Sequence, residues 1–194
     1  MAIAIENSRL FNEVQLLAIT DSLTGLYNRR KFDELATSEF TRAKRYRRPL
    51  CAIMIDLDQF KQVNDTYGHI VGDQALSNVA SLCKDNLRNI DILARFGGEE
   101  FVILLPETKI AEARLTAERL RIDCQDTDFG TTRGSISLTI SLGLVELDSS
   151  CKTLEELITR ADQALYASKH AGRNMVSVWS KELTPPDPPG LHIN

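Results

Sequence analysis

Two short acidic stretches have the composition to hold a divalent cation. The first is Gly97-Gly98-Glu99-Glu100-Phe101, set between apolar runs at 90–96 and 101–105. Each run is too short for a helix and rich in Ile, Leu, Val and Phe, so both are predicted strands. Two glycines between them predict a tight hairpin turn, because Gly enters positive φ without strain. Adjacent carboxylates repel, and a hard cation such as Mg²⁺ relieves that repulsion by taking their oxygens. A solvated hairpin tip is the competing reading. The second stretch is the apolar run 51–55 closed by Asp56, Leu57 and Asp58. It predicts a buried strand with carboxylates at its C-terminal end, where such sheets place ligands. An acidic strand end facing an acidic hairpin is the layout of a two-metal nucleotidyl-transfer site, with cations about 3.5–4 Å apart. Asp58 joins Asp56 only if the strand continues past Leu57.

Other residues carry weaker signals alone. Asn64-Asp65 reads as a turn, and Asp73 as an acid favoured at a helix N-terminus. Lys169 and Arg173, one helical turn apart, read as cations at a helix C-terminus. Arg88 and Asp91 form an R-x-x-D, by itself a surface ion pair. The three histidines make no metal cluster, and Cys51, Cys83, Cys124 and Cys151 show no CxxC pair. They read as small buried hydrophobes in a reducing compartment.

The elements that must position these residues follow from periodicity. Residues 3–20 predict a polar helix with Ile3, Leu10 and Leu17 at heptad spacing and Asn7 and Val14 between them. Residues 21–30 read as a structured turn. A helix is predicted over 31–47 with Phe32, Leu35, Ala36, Phe40 and Ala43 on one face. Its end is basic, with Arg42, Lys44, Arg45, Arg47 and Arg48, a placement the helix dipole favours. A short helix follows Asp58, then a loop at 68–72 and a helix over 73–88. After the hairpin, Thr108 is the expected N-cap of a helix to about 125. Residues 126–134 read as a polar loop, and 135–147 as one strand with Gly143 as a bulge. Thr153 and Glu156 make a capping box for a helix to 170, and 175–179 is a last strand. The order β-α-α-β-β-α-β-α-β implies an α/β (α+β) domain: a mixed sheet with an antiparallel hairpin at its centre and helices over it. Five prolines and glycines crowd 185–190, so 181–194 is read as a disordered tail.

Taken together, Asp21-Ser-Leu-Thr-Gly-Leu-Tyr-Asn28-Arg29-Arg30, Asp56-Leu57-Asp58-Gln59-Phe60-Lys61, Asn64-Asp65-Thr-Tyr-Gly68-His69, Gly72-Asp73, Arg95-Phe-Gly97-Gly98-Glu99-Glu100-Phe101 and Lys169-His-Ala-Gly172-Arg173-Asn174 resemble the GGDEF family of diguanylate cyclases. The likeness runs from about residue 20 to 179, in order and at the family's spacing, with Glu99 at the third motif letter. It implies a palm-like sheet shared with class III nucleotide cyclases. It also implies condensation of two GTP into cyclic di-GMP and two pyrophosphates, with two Mg²⁺ per site (Mn²⁺ as substitute) across a homodimer. By the same resemblance Asp56, the Leu57 carbonyl, Glu99 and Glu100 bind metal, with Glu99 a candidate for accepting the 3′-hydroxyl proton. Asn64 and Asp73 read guanine. Gln59, Phe60, Lys61, Lys169 and Arg173 meet the phosphates beside Gly97 and Gly98. Arg88, Asp91 and Arg119 form an inhibitory product site. Residues 1–20 become the stump of a linker from an upstream sensor, and 21–180 the cyclase domain. A catalytically silent module that binds GTP or cyclic di-GMP is the alternative.

Composition agrees. In 194 residues, 43% apolar and 26% charged side chains are ordinary globular values. Twenty-three basic against 27 acidic side chains give −4, a poor footprint for a nucleic acid. No apolar run approaches 18 residues, so neither a membrane span nor a signal peptide is expected, and the chain is read as cytoplasmic.

Overall fold

The computed structural model describes residues 19–183. The N-terminal seam and the proline-rich tail lie outside these residues. The elements are β1 (Tyr27–Asn28), α1 (Arg29–Tyr46), β2 (Leu50–Leu57), α2 (Phe60–Tyr67), α3 (His69–Asp85), β3 (Ile92–Arg95), β4 (Glu100–Pro106), α4 (Ile110–Asp126), β5 (Asp128–Thr131), β6 (Gly134–Ser137), β7 (Ile140–Glu146), α5 (Leu154–His170) and β8 (Val176–Val178), with a 3-10 turn at Lys181–Leu183.

Six strands form one mixed sheet in the order β1-β3-β4-β2-β7-β8. β2 is central and pairs antiparallel with both β4 and β7, which is why all eight of its residues are buried. Alternation then divides its side chains between two cores. Cys51, Ile53, Ile55 and Leu57 pack with α3 and α4 through Leu76, Val79, Ala117 and Leu120. Leu50, Ala52 and Met54 pack with α1 and α5 through Phe32, Phe40, Leu157 and Ala161. Asp56 continues the second set, so it emerges on the α1/α5 side.

Several expectations are corrected. The β3–β4 hairpin is not at the sheet's centre; β4 and β2 are, because β2, β7 and β8 all lie on the far side of β4. β1 spans only two residues, too few for periodicity to reveal. Residues 69–72, expected as loop, are the first turn of α3, whose N-cap is Gly68 at φ 85°. Gly72 sits inside the helix because a Cβ there would lie 1.9 Å from Asn64 Oδ1. Thr108 does not cap α4: Lys109 is the N-cap, and the buried Thr108 hydroxyl donates to Pro106 O. Residues 135–147 are two strands in different sheets, since β6 pairs with β5 in a small hairpin. Gly143 is no bulge. It pairs in register with Met54 and Ser177, and a Cβ on it would lie 2.0 Å from Leu165 N and 2.2 Å from Ala161 O. The glycine lets α5 lie directly on the sheet.

Candidate active site

β2 and β4 pair so that Asp56 stands directly opposite Glu100. Directly opposed residues on antiparallel strands have Cβ atoms about 4.5–5.5 Å apart, and like charges there destabilise. The Asp56 carboxyl is pushed up to about 6, mainly by loss of solvent. The hydrogen bond and charge of Lys169 oppose that shift, and the charges of Glu99 and Glu100 add to it. Lys169 Nζ lies 2.8 Å from Asp56 Oδ2. The Glu100 carboxyl is also raised, first by loss of solvent and then by Asp162, with Lys169 and Arg29 acting against the rise. Asp162, on α5, and Arg29, at the start of α1, are members of this electrostatic group that the sequence reading assigned no role. The seven-residue spacing of Asp162 and Lys169, two helical turns, is the signal that could have found the first.

The hairpin tip is held by backbone rather than by unusual φ. Neither Gly97 nor Gly98 has positive φ, contrary to the turn chemistry expected of them. Phe96 and Gly97 both donate to Glu100 O, at 2.8 and 3.3 Å. Gly97 instead makes room: a Cβ there would lie 2.6 Å from Glu100 Oε2. Leu57 N donates to Glu99 O at 3.3 Å, tying the hairpin to the end of β2.

Asp58 is not part of the acidic group. Its buried carboxylate accepts from Thr139 Oγ1 at 2.8 Å, Ser141 Oγ at 2.6 Å and Asn174 N at 2.9 Å. The last bond anchors the loop carrying Arg173, an exposed residue at φ 66°.

Gln59, at φ 55°, turns the chain into α2. Phe60 and Lys61 supply the helix's first amides, which have no intrahelical acceptor. Asn64 projects from α2 against Gly72 of α3, and Asp73 is the next residue. Asp73 lies in the second turn of α3, so the dipole expected to favour it at an N-terminus is not its reason for being there. It lines a pocket of about 380 Å³ with Leu23, Ile70, Gln74, Ser77 and Asn78. That pocket has an apolar wall and one carboxylate, a fit for the face and the N–H edge of a purine.

Arg88 and Asp91 lie apart, on a pocket of about 320 Å³ that also includes Lys84, Leu87 and Leu93. Arg88 closes a two-pronged pair on Asp91, with Nη2 2.8 Å from Oδ1 and Nε 3.2 Å from Oδ2. Its Nη2 also reaches Thr108 Oγ1 at 2.7 Å. Arg119 Nη2 donates to Asn86 O at 2.8 Å, just after α3.

Asp56 and Glu100 suit a hard cation: two carboxylates poor in solvent, facing each other, with raised proton affinity. Among the described residues, no three His, Cys, Asp or Glu side chains converge as a ready-made metal site. The positive charge beside Asp56 is the ammonium of Lys169.

Comparison with known proteins identifies the family. Residues 18–175 match the family described as diguanylate cyclase, GGDEF domain. The response regulator PleD of Caulobacter vibrioides is 41% identical over 162 residues, 82% of this chain and 36% of the relative. The diguanylate cyclase DosC of Escherichia coli K12 is 39% identical over 176 residues, 90% of this chain and 38% of the relative. The chain thus spans little more than a third of these relatives. Among solved structures, the coiled coil and GGDEF domain of DgcB from Caulobacter crescentus, in complex with c-di-GMP, superposes with a TM-score of 0.85 at 30% identity. The match covers 91% of this chain and 94% of that one. The match across residues 18–175 and the 41% identity to PleD over 82% of the chain show that this chain belongs to the diguanylate cyclase GGDEF-domain family.

Proposed function

We propose that this domain condenses two molecules of GTP into cyclic di-GMP with release of two pyrophosphates. The observation that carries the reading is the register that sets Asp56 against Glu100, with Lys169 reaching the same cleft. Each subunit holds one GTP. The guanine lies in the Leu23–Ser77 pocket, its N1–H and N2 amine donating to Asp73, with Asn64 bonding the purine edge. The amides of Gln59, Phe60 and Lys61 and the cations of Lys169 and Arg173 hold the β- and γ-phosphates. When bound, Mg²⁺ or Mn²⁺ at Asp56, the Leu57 carbonyl, Glu99 and Glu100 neutralises phosphate charge and acidifies the hydroxyl. The 3′-hydroxyl oxygen of one nucleotide forms a bond to the α-phosphorus of the other. The bond from that phosphorus to the bridging oxygen breaks, and pyrophosphate leaves with its electrons. Glu99 takes the hydroxyl proton. Two such transfers close the ring, so two subunits must face each other and a homodimer is part of the mechanism.

Arg88, Asp91 and Arg119 are assigned to feedback by the product. Residues 1–20 are assigned to linking a sensor to this domain, and the reaction to the cytoplasm. No helix among the described residues is long and apolar enough to cross a membrane. The test is incubation with GTP and Mg²⁺ over a range of protein concentrations, with products resolved by chromatography. Cyclic di-GMP formed at a rate per subunit that rises with concentration supports the reading. GTP binding without product, from a demonstrably dimeric protein, would replace it with a silent binding module.

A further inference from the structure

The end of the sheet remote from the acidic cleft carries a second concentration of charge, of opposite sign. β2 begins at Leu50 and reaches the cleft at Asp56 and Leu57, so the two ends are about 20–25 Å apart at strand rise. Around the start of β2, a groove of about 530 Å³ is lined by Lys44, Arg47, Arg48 and Lys109, with Ala43, Pro49 and Leu147 as apolar surface. Arg45 is exposed on the same helix end, its guanidinium 5.5 Å from the ring centre of Tyr46, which is 60% exposed.

These cations are largely uncommitted. Among the described residues no carboxylate pairs with Arg45, Arg47, Arg48 or Lys109, whereas Lys44 Nζ donates to the carbonyls of Cys151 and Lys152. The two acids on the groove are already engaged. Glu146 Oε2 accepts from Ile110 N, and Asp148 Oδ1 accepts from Ser150, Cys151 and Arg160. The helix dipole explains Lys44 and Arg45 in the last turn of α1. It also favours Arg47, the C-cap, and weakens at Arg48, one residue further on. It opposes Lys109, which stands at the N-cap of α4, next to a positive helix end. A protein of net charge −4 therefore gathers five cations and an exposed tyrosine on one end without internal partners for most of them.

We propose that this end docks on an anionic lipid surface, the groove between α1 and α4 accepting an anionic headgroup. Clusters of four to eight Lys and Arg near a surface bind anionic lipid, and a tyrosine with an apolar ring and polar tip suits the interface. The half-buried Pro49 and Leu147 suit the glycerol end of a lipid. The carboxylates of Glu146 and Asp148 on the groove and the net charge of −4 disfavour a long polyanion such as a nucleic acid. Docked this way, the acidic cleft faces away from the bilayer and stays open to nucleotide and to a second subunit.

The test is co-sedimentation of the full chain with phosphatidylcholine vesicles, with and without phosphatidylserine, across a salt series. The expected result is pelleting only with phosphatidylserine, weakening as salt rises. Arg47→Ala/Arg48→Ala/Lys109→Ala should lower partitioning about 100-fold, near fivefold per cation. Lys84→Ala/Arg114→Ala/Arg133→Ala removes the same charge elsewhere and should change it little. Thermal melts confirm that both variants are folded. Four outcomes would overturn the proposal: no pelleting, equal pelleting with neutral vesicles, equal loss in the two variants, or binding to a single-stranded oligonucleotide with none to vesicles.

Discussion

Arg95 donates Nη1 to both carboxylate oxygens of Asp21, at 3.2 and 3.1 Å, across 74 residues of chain. The same guanidinium turns Nε and Nη2 onto Gly98 O, at 3.1 and 2.6 Å. The turn that follows the N-terminal segment is thus braced against the acidic hairpin. Arg95→Ala should destabilise the domain by about 1–3 kcal/mol, as loss of hydrogen bonds to a charged group does. It should lower turnover further than that loss alone explains, because the hairpin carries Glu99 and Glu100. Urea unfolding and initial rates read the two effects; unchanged turnover would remove Arg95 from the positioning of the site.

The same pair predicts a pH dependence. Loss of solvent pushes the Asp21 carboxyl up, but hydrogen bonds from Thr24 and then the Arg95 charge bring it net below the ordinary 3.8. A depressed folded value means that the unfolded chain binds the proton first. The Asp21 contribution is therefore complete above about pH 4 and is lost as pH falls through the folded value. Asp21→Asn should flatten the acid side of a stability–pH curve measured by denaturant unfolding.

Glu100→Gln should reduce cyclic di-GMP formation at least about 100-fold while leaving the fold intact. Without metal it should raise stability by about 0.2–1 kcal/mol, because it removes one of two opposed carboxylates. Asp56→Asn should abolish turnover equally but gain less stability, since it also breaks the 2.8 Å pair with Lys169. Near-normal turnover in either variant would refute the metal assignment.

Asp73→Ser should relax preference for GTP over ATP by about 1–3 kcal/mol, the value of a lost charged hydrogen bond. Because Asp73 is in the second turn of α3, the substitution should not cost helix-dipole stabilisation, and melting should hardly move. An unchanged GTP/ATP ratio of kcat/KM would move base recognition elsewhere.

Arg88→Ala should weaken product inhibition and spare catalysis, and Arg88→Lys should do nearly the same because it keeps the charge but loses the fork. The Asp91 side chain is only 2% exposed and accepts both prongs, so either change also leaves a buried acceptor underused and costs about 1–3 kcal/mol. Initial rates against cyclic di-GMP at several GTP concentrations test this. Purely competitive inhibition, unaltered in the variants, would leave Arg88 and Asp91 a structural pair.

Much of the fold was legible because β2, β4 and four of the helices are long and periodic. The acidic strand end at Asp56 and the acidic hairpin at Glu99 and Glu100 were legible locally, but the register that sets Asp56 directly opposite Glu100 is a pairing between distant segments and was not. The missed parts depend on contacts between distant segments. Gly68 and Gly72 both looked like helix breakers; only the nearness of Asn64 shows why Gly72 belongs inside α3. The break between β6 and β7 falls in a run of β-branched and apolar residues that reads as continuous. Asp58 has the same local signature as Asp56, and only Thr139, Ser141 and Asn174 reveal its different use. Thr108 looked like a cap, yet its hydroxyl accepts from Arg88 instead.

Asp58 has a further meaning for precision in the cleft. Asp58 sits in the turn just past the end of β2, two residues after Asp56, and Asn174, next to Arg173, hangs from Asp58 by one hydrogen bond. In a machinist's terms, Asp56 and Arg173 are gauged from a single datum. Positional error in α5, which lies between them in the chain, does not accumulate into the distance separating them.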